Sequence, residues 1–396
     1  MLFKKWRAPV EVREQKASAV GGYVAFHGAG RAVWSPRDSG SLTRAGYLHN
    51  AVGFRCVRMI AEACAATPLQ LFEAGAPMSE HPILELLARP HAGQDGPGLL
   101  EAVYSHLQLT GDAYLEAAGF DDFNAPSELH VLRPDRMRVA PGADGWPEAY
   151  EYQVGGRTHR FDMTGEAQPI IHIRAFHPRD DHYGLSPMSA AAAAIDIHNS
   201  AGKWSKALLD NAARPSGAIV YSGGDGGASL SDDQYRRLSE ELESSHQGAK
   251  NAGRPMLLEG GLDWKPMGFS PSDMEFLKTK EAAAREIALA FGVPPQLLGL
   301  PGDNTYANYQ EANRAFYRQT VLPLTRRVGA ALAGWLGWRF GGRISLSPDL
   351  DAIPALQAER EAQWRRIAQA DFLDDAEKRA MLGLPARDNP RGQDPE

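Results

Sequence analysis

Two long helical stretches, separated by one short insert, constrain this chain more than any other feature. The first opens at "LSPMSAAAAAIDIHNS". Ser186 is placed to cap it and Pro187 to start it, since a proline at the first helical position gives up an N–H that has no partner there. The alanine run Ala190 to Ala194 favours helix and permits close packing. The pattern continues to about Asn211, roughly 37 Å at 1.5 Å per residue, where Arg214-Pro215 stops it. The second stretch is capped by Ser270 and opened by Pro271, with Asp273 completing a variant of the capping box. It runs through "DMEFLKTKEAAAREIALAFG" and ends at Gly292, before Pro294-Pro295. Glu281 lies one turn before Arg285, the favourable order for a helical ion pair. An antiparallel pair of rods, with residues 213–269 as a small subdomain at their tips, is the expected arrangement.

The flanking sequence reads as an α+β fold. Residues 1 to about 45 lack a sustained period and are glycine- and serine-rich, so 1–49 is expected to be a flexible arm. Asn50 caps "AVGFRCVRMIAEACAA", whose Val52, Cys56, Met59, Ile60 and Ala63 share one face. Thr67-Pro68 ends that helix. "LQLF" is a strand, "HPILELLARP" and "GLLEAVYSHLQLTG" are helices, and Gly111 closes the latter. "DAYLEAAGF", "ELHVLRP", "RMRVA", "AYEYQV" and "PIIHIRAF" are β segments. The insert holds the strand "GAIVY", a polar helix capped by Ser231, and two strands around Gly260-Gly261. After the second rod, a helix of about 30 residues begins near Tyr306, and Pro323 should kink or break it. "RISLSP" is a closing strand, 350–383 two shorter helices, and the remainder a tail.

Composition narrows the function. With 396 residues there is material for two or three domains, and a formal net charge of −7 offers no basic face for sequence-specific DNA reading. It leaves room for a protein that DNA merely passes. Cys56 and Cys64 lie about 12 Å apart along one helix, too far for a disulfide, which suits a reducing compartment. "MLFKKWRAPVEVREQK" has no apolar stretch behind its charge, and no run of about 18 uncharged apolar residues exists, so a soluble chain is expected.

Chemistry is sparse. There is no phosphate loop and no G-x-S-x-G, and Ser186 is explained by capping. The segment "HIRAFHPRDDHYG" gathers His172, His177, Asp180, Asp181 and His182 without the framing of a metal site. A soluble metal-dependent hydrolase built on His172, His177 and Asp180 is the alternative reading, and a hydrogen-bonded loop is the preferred one. The pairs Asp121-Asp122, Asp232-Asp233 and Asp374-Asp375 suit turns and helix starts. Tyr306, Tyr309, Phe316 and Tyr317 fall at helical spacing and are expected in the core. No cofactor and no metal are expected.

In order, "CVRMIAEACAATPLQLF", "LTGDAYLEA", "LRPDRMRV", "YGLSPMSAAAAAI", "NAARPSGAIV", "LEGGLDWKP" and "FGVPPQLLG" resemble the portal proteins of long-tailed phages of the Hong Kong type, collinearly from about Ala51 to Leu384. The short, alanine- and arginine-rich chain is also similar to portals of gene transfer agents. The resemblance implies a structural, non-enzymatic protein. It implies a ring, usually of twelve copies, at one capsid vertex of a virion or phage-like particle, assembled in the bacterial cytoplasm. Double-stranded DNA passes through it non-specifically, and no membrane is involved. The implied partners are the large subunit of the terminase motor, a head–tail adaptor and the major capsid protein.

The family architecture would make 50–186 and 293–349 a wing, 187–211 and 271–292 a stem, 213–269 a clip, and 350–396 a crown with a tail. Residues 300–306 would be the tunnel loop, with Asp303, Asn304, Thr305 and Tyr306 toward DNA, and Lys278, Lys280 and Arg285 would line the stem channel. Asn304, Thr305 and Tyr306 offer hydrogen bonds to phosphate without a fixed charge, and a densely basic lining would hold DNA through counterion release.

Overall fold

The computed structural model describes residues 34–165, 168–210, 217–221, 231, 233–237, 240, 262–266, 271–302, 305–340 and 342–384. For 207–210, 217–221, 262–266 and 271–275 only the backbone is described. The expected strand before Gly260 and the caps at Asp232 and Ser270 lie outside the described residues.

Order begins earlier than Asn50. Helix α1 (Ser39–Thr43) leads through a π turn (Arg44–Leu48) into α2 (Ala51–Ala65). Leu42 is buried, and the Ser35 hydroxyl donates to Asp196 Oδ1 at 2.5 Å, so tertiary contacts fix a segment that has no sequence period. Asn50 caps α2 as expected, accepting from Val52 and Gly53 N–H at 3.1 and 2.9 Å. Its amide also donates to Asn199 Oδ1 at 2.9 Å. The buried face of α2 is Cys56, Val57, Ile60, Ala61 and Cys64, broader than the expected stripe, because α2 packs against several other helices. Both cysteines are unpaired thiols, and burial pushes each up to about 12.

Strand β1 (Leu69–Glu73) lies between β2 (Ala76–Met78) and the closing strand 344–348, with Leu71 opposite Leu346. Helices α3 (Pro82–Ala88) and α4 (Gly96–Thr110) follow, and Gly111 ends α4 at φ 84°. A second antiparallel sheet has β3 (Asp112–Phe120) between β4 (Pro126–Leu132) and β8 (Ile170–Arg174). A third comprises β5 (Met137–Pro141), β6 (Pro147–Val154) and β7 (Arg157–Asp162). Strand β7 has no apolar alternation, and as an edge it needs none; this is why its sequence hid it. Alternation along β3 decides the layers. Ala113, Leu115 and Ala117 face the main core, while Tyr114 meets Met137, Val139 and Tyr150 of the third sheet.

Ser186 caps α5 (Pro187–Ala190), and after a turn at Ala191 the chain continues as α6 (Ala192–Asp210). A single helix was expected; Ala191 at ψ −4° divides it. Strands β9 (Gly217–Tyr221) and β10 (Leu262–Pro266) pair antiparallel, then α7 (Pro271–Phe291) returns. Helix α8 (Tyr306–Phe316) passes through a π turn (Tyr317–Val321) into α9 (Leu322–Gly337). The expected interruption near Pro323 takes this form. Proline has no N–H for a regular helical bond, and the turn just ahead closes through Leu322 N–H to Tyr317 O instead. Strand β11 (Ile344–Pro348) and helices α10 (Gln357–Ala368) and α11 (Asp375–Leu382) complete the chain. Asp374 and Glu377 form a reciprocal capping box on α11. Arg360 grips Asp351 with two of its guanidinium nitrogens, Nε and Nη2, at 2.5 and 2.8 Å. Among the described residues no helix is long and apolar enough to cross a membrane.

Candidate functional site

The two rods pack against each other, and side-chain contacts fix their direction. Trp204 of α6 stacks on Phe276 of α7, with ring centroids 4.3 Å apart and planes 11° from parallel. Nearer the body, His198 of α6 titrates below its usual range through burial and, secondarily, the positive charge of Lys280. Going up α6 from His198 to Trp204 means going back along α7 from Lys280 to Phe276, so the pair is antiparallel. Small residues are buried along both rods: Ala192, Ala194 and Ala201 on α6, and Ala283, Ala284 and Ala288 on α7.

Helical geometry separates the two sides of α7. Successive residues turn by about 100°, and the buried set Ala283, Ala284, Ile287, Ala288 and Phe291 defines the inward face. Ala282 and Leu289 point directly away from it, flanked by Lys278 and Arg285 on one side and Glu286 on the other. All five are exposed, and Leu289 is 79% exposed. Lys280 is half-buried on the inward side near His198. Of the three cationic candidates, Lys278 and Arg285 therefore share an outer flank and Lys280 does not. The Arg285 guanidinium donates to the Pro301 carbonyl, one loop away, where a partner at Glu281 was expected.

The connection after α7 is tightly built. Gly292 ends the helix at φ 66°, and the Thr320 hydroxyl donates to its carbonyl at 2.6 Å. A short 3₁₀ turn (Pro295–Leu298) follows, with Gly299 at φ 70°. Thr305 Oγ1 accepts from Asn308 N–H at 3.3 Å and caps α8. Asp303 and Asn304 lie outside the described residues. Tyr306 and Tyr309 are exposed, at 79% and 50%, and only Phe316 and Tyr317 of the four aromatics turn inward. The reason is positional: the first two turns of α8 project beyond the body, so helical spacing there does not imply burial.

The histidine cluster disperses. His172 Nε2 donates to Asp112 Oδ1 at 2.8 Å, its other nitrogen faces the Tyr150 hydroxyl at 3.3 Å, and its ring stacks on Tyr114. Asp180 accepts from the backbone N–H of His182 and Tyr183, which holds its carboxyl below the usual carboxylate range. His177 accepts from Arg179 N–H. Among the described residues no three His, Cys, Asp or Glu side chains are grouped to hold a metal. The acid pairs behave as turn and cap residues where described, with Asp121 accepting from Phe123 and Ala125 N–H and Asp374 capping α11.

The family model of the phage portal protein matches residues 51–383. This chain belongs to the phage portal protein family. A chain in the neck of an empty gene transfer agent particle, with C6 symmetry, is 64% identical, with a TM-score of 0.74 over 91% of this chain and 97% of that one. A chain in the neck of a native gene transfer agent particle, with C12 symmetry, is 63% identical, with a TM-score of 0.73 over 91% and 97%. A Hong Kong-type phage portal protein from Corynebacterium diphtheriae shares the fold at 16% identity, with a TM-score of 0.54 over 81% of this chain and 99% of that one. A portal protein is a structural part of a capsid vertex and not an enzyme, so the hydrolase reading of His172, His177 and Asp180 is withdrawn.

The residue that sequence reasoning missed in this portal protein is Asp112. Its Oδ1 accepts from both His172 Nε2–H and Gly184 N–H, each at 2.8 Å, while Gly111 O accepts from Ala175 N–H at 2.7 Å. The dipeptide Gly111-Asp112 thereby pins both ends of loop 175–184, which leads from β8 into the rods. Gly184 has to be glycine, because a Cβ there would lie 2.0 Å from Gly111 O. An acidic residue following a helix-ending glycine reads in sequence as a turn, and nothing local shows that it is buried.

Proposed function

We propose that the chain is one subunit of a homo-oligomeric ring that forms the DNA channel at the capsid vertex of a phage-like particle of the gene transfer agent type. The observation that carries this is the antiparallel rod pair, stacked at Trp204 and Phe276, with Lys278, Ala282, Arg285, Glu286 and Leu289 exposed on the side of α7 away from its buried face. In this reading α5 to α7 form the stem, residues 213–269 the clip, 50–186 with 293–349 the wing, and 350–396 the crown and tail. DNA moves past the outer flank of α7, near Lys278 and Arg285, and past the loop 300–306. That loop, with Asp303, Asn304, Thr305 and Tyr306, is the constriction. The polar side chains Asn304, Thr305 and Tyr306 give replaceable contacts to phosphate oxygens, which suits a duplex that must keep sliding.

No phosphate loop is present, so a separate ATPase of the terminase class supplies the work, with the clip as its docking end and later that of a head–tail adaptor. The wing meets the capsid protein. Electron microscopy and mass measurement of the purified full chain test the reading. A ring with a central bore, near 520 kDa for about twelve copies of a 43.1 kDa chain, is expected. A chain that stays monomeric under all conditions, capsid partners included, refutes it.

A further inference from the structure

Helix α6 is separated from α5 by the turn at Ala191, so polar side chains help to fix its base to the body. Asp196 accepts from the Ser35 backbone N–H and hydroxyl, and Asn199 Nδ2 donates to the Ala45 carbonyl at 2.9 Å. A third contact runs through Asn50, the buried cap of α2. Its Oδ1 is taken by Val52 and Gly53 N–H. Its Nδ2 supplies two more bonds, to Asn199 Oδ1 at 2.9 Å and to His198 Nδ1 at 3.1 Å. The amide cannot be turned round, since its NH2 would then face two backbone donors. His198 Nδ1 is therefore an acceptor, and the ring is neutral. The surroundings agree. Burial disfavours the charged ring, and Lys280 of α7 adds a like charge. Of the other titratable groups on the elements around it, Arg44 and His49 beside α2 and Glu281 of α7 are exposed, and α5 has none. On α6 itself, Asp196 is turned to Ser35 and Arg37, and Lys203 is exposed.

We propose that His198 and Asn50 form a proton-sensitive latch between rod α6 and helix α2. The neutral ring completes the hydrogen bonds of the cap. A proton on Nδ1 sets one donor against another, strands a buried Asn50 N–H and puts a positive charge beside Lys280. The ring then leaves Asn50, and the cap loosens. The closed latch binds the proton more weakly than a free histidine does. It therefore holds above about pH 6.5 and opens progressively as pH falls below that value. The contacts of Asp196 with Ser35 and of Asn199 with Ala45 involve no histidine, so acid loosens the seat of the rod without detaching it. The latch lies within one chain and does not rest on the ring reading.

Hydrogen exchange in the full chain reads the latch through the Val52 and Gly53 amides, which donate to Asn50 Oδ1. Their protection, normalised for the pH dependence of free-amide exchange, should fall between about pH 7.5 and 5.5 by up to about tenfold per unit, the dependence of one proton. His198→Gln offers an amide acceptor that does not titrate, and it should flatten that dependence. Lys280→Glu places an opposite charge beside the ring and should shrink or reverse it. Asn50→Asp still caps α2 but gives His198 no N–H, and its carboxylate attracts the imidazolium. Acid should then leave protection unchanged or raise it. Protection at Val52 and Gly53 that does not vary with pH in the wild-type chain overturns the latch. A pH dependence that persists undiminished in His198→Gln overturns it too, because the proton then binds elsewhere.

Discussion

Asp112→Ala isolates the anchor between sheet and rods. The carboxylate is 5% exposed and accepts two hydrogen bonds at 2.8 Å, from His172 Nε2–H and Gly184 N–H. Hydrogen bonds to a charged group contribute about 1.5–3 kcal/mol each, and a buried donor left without an acceptor costs about 1–3 kcal/mol. The alanine variant vacates both donors, so a loss of about 3–5 kcal/mol is expected, a large part of a typical total of about 5–15 kcal/mol. Asp112→Asn keeps an amide oxygen that can accept from both donors but removes the negative charge, and should lose roughly 1–2 kcal/mol. Urea titration at fixed chain concentration reads both as shifts of the midpoint; the concentration is held constant because assembly stabilises the fold by mass action. Limited proteolysis should cut loop 175–184 faster in Asp112→Ala at urea concentrations where the rest of the chain stays folded. A loss below about 1 kcal/mol in the alanine variant, or equal losses in the two variants, refutes the claim that Asp112 pins this loop.

Three further outcomes are expected. A double-mutant cycle on Trp204→Ala and Phe276→Ala should give a coupling of about 0.5–1.5 kcal/mol, and a coupling indistinguishable from zero in urea titrations removes the stack from the rod interface. Gly292→Ala forces φ 66° on a residue with a Cβ that would lie 2.8 Å from Thr320 Oγ1. It should cost about 1–3 kcal/mol, and Thr320→Ala, which removes the clash partner together with its hydrogen bond, should recover part of that loss. Burial pushes His106 down to about 4, so the unfolded chain binds a proton at higher pH than the folded one. Stability should be unaffected by this group above pH 6.5 and should fall as pH drops from about 6.5 toward 4, by up to roughly 3 kcal/mol. His106→Gln should flatten that part of the pH profile, and an unchanged slope in the variant refutes the assignment.

Local chemistry made much of this fold legible. Caps and stops such as Asn50, Ser186, Gly111 and Gly292 act on backbone groups within a turn, so they operate wherever the chain goes. Period-two alternation marked β3 and β8 because each buries at least one face, while β7, an exposed edge, carried no mark. The collinear motifs gave the family, since they record whole elements in order. The candidate site was less legible. Lys278, Lys280 and Arg285 look alike in sequence, and only the rod partner shows that Lys280 turns inward. Tyr306 and Phe316 share a helical period, yet one projects beyond the body and the other lies beneath it.

The sequence by itself determined where several of the helices begin and end, that two of them are long and flank a short insert, and which family the chain belongs to. Tertiary structure alone decided that Asp112 is a buried anchor, that the helices before Asn50 are ordered, that the strain at Pro323 is taken up by a π turn, and that Lys280 turns inward while Leu289 stays exposed. The physical reason is range. Capping and periodicity are short-range effects written in neighbouring residues, whereas burial, close backbone approach and the facing of a helix depend on segments that the chain brings together only when it folds.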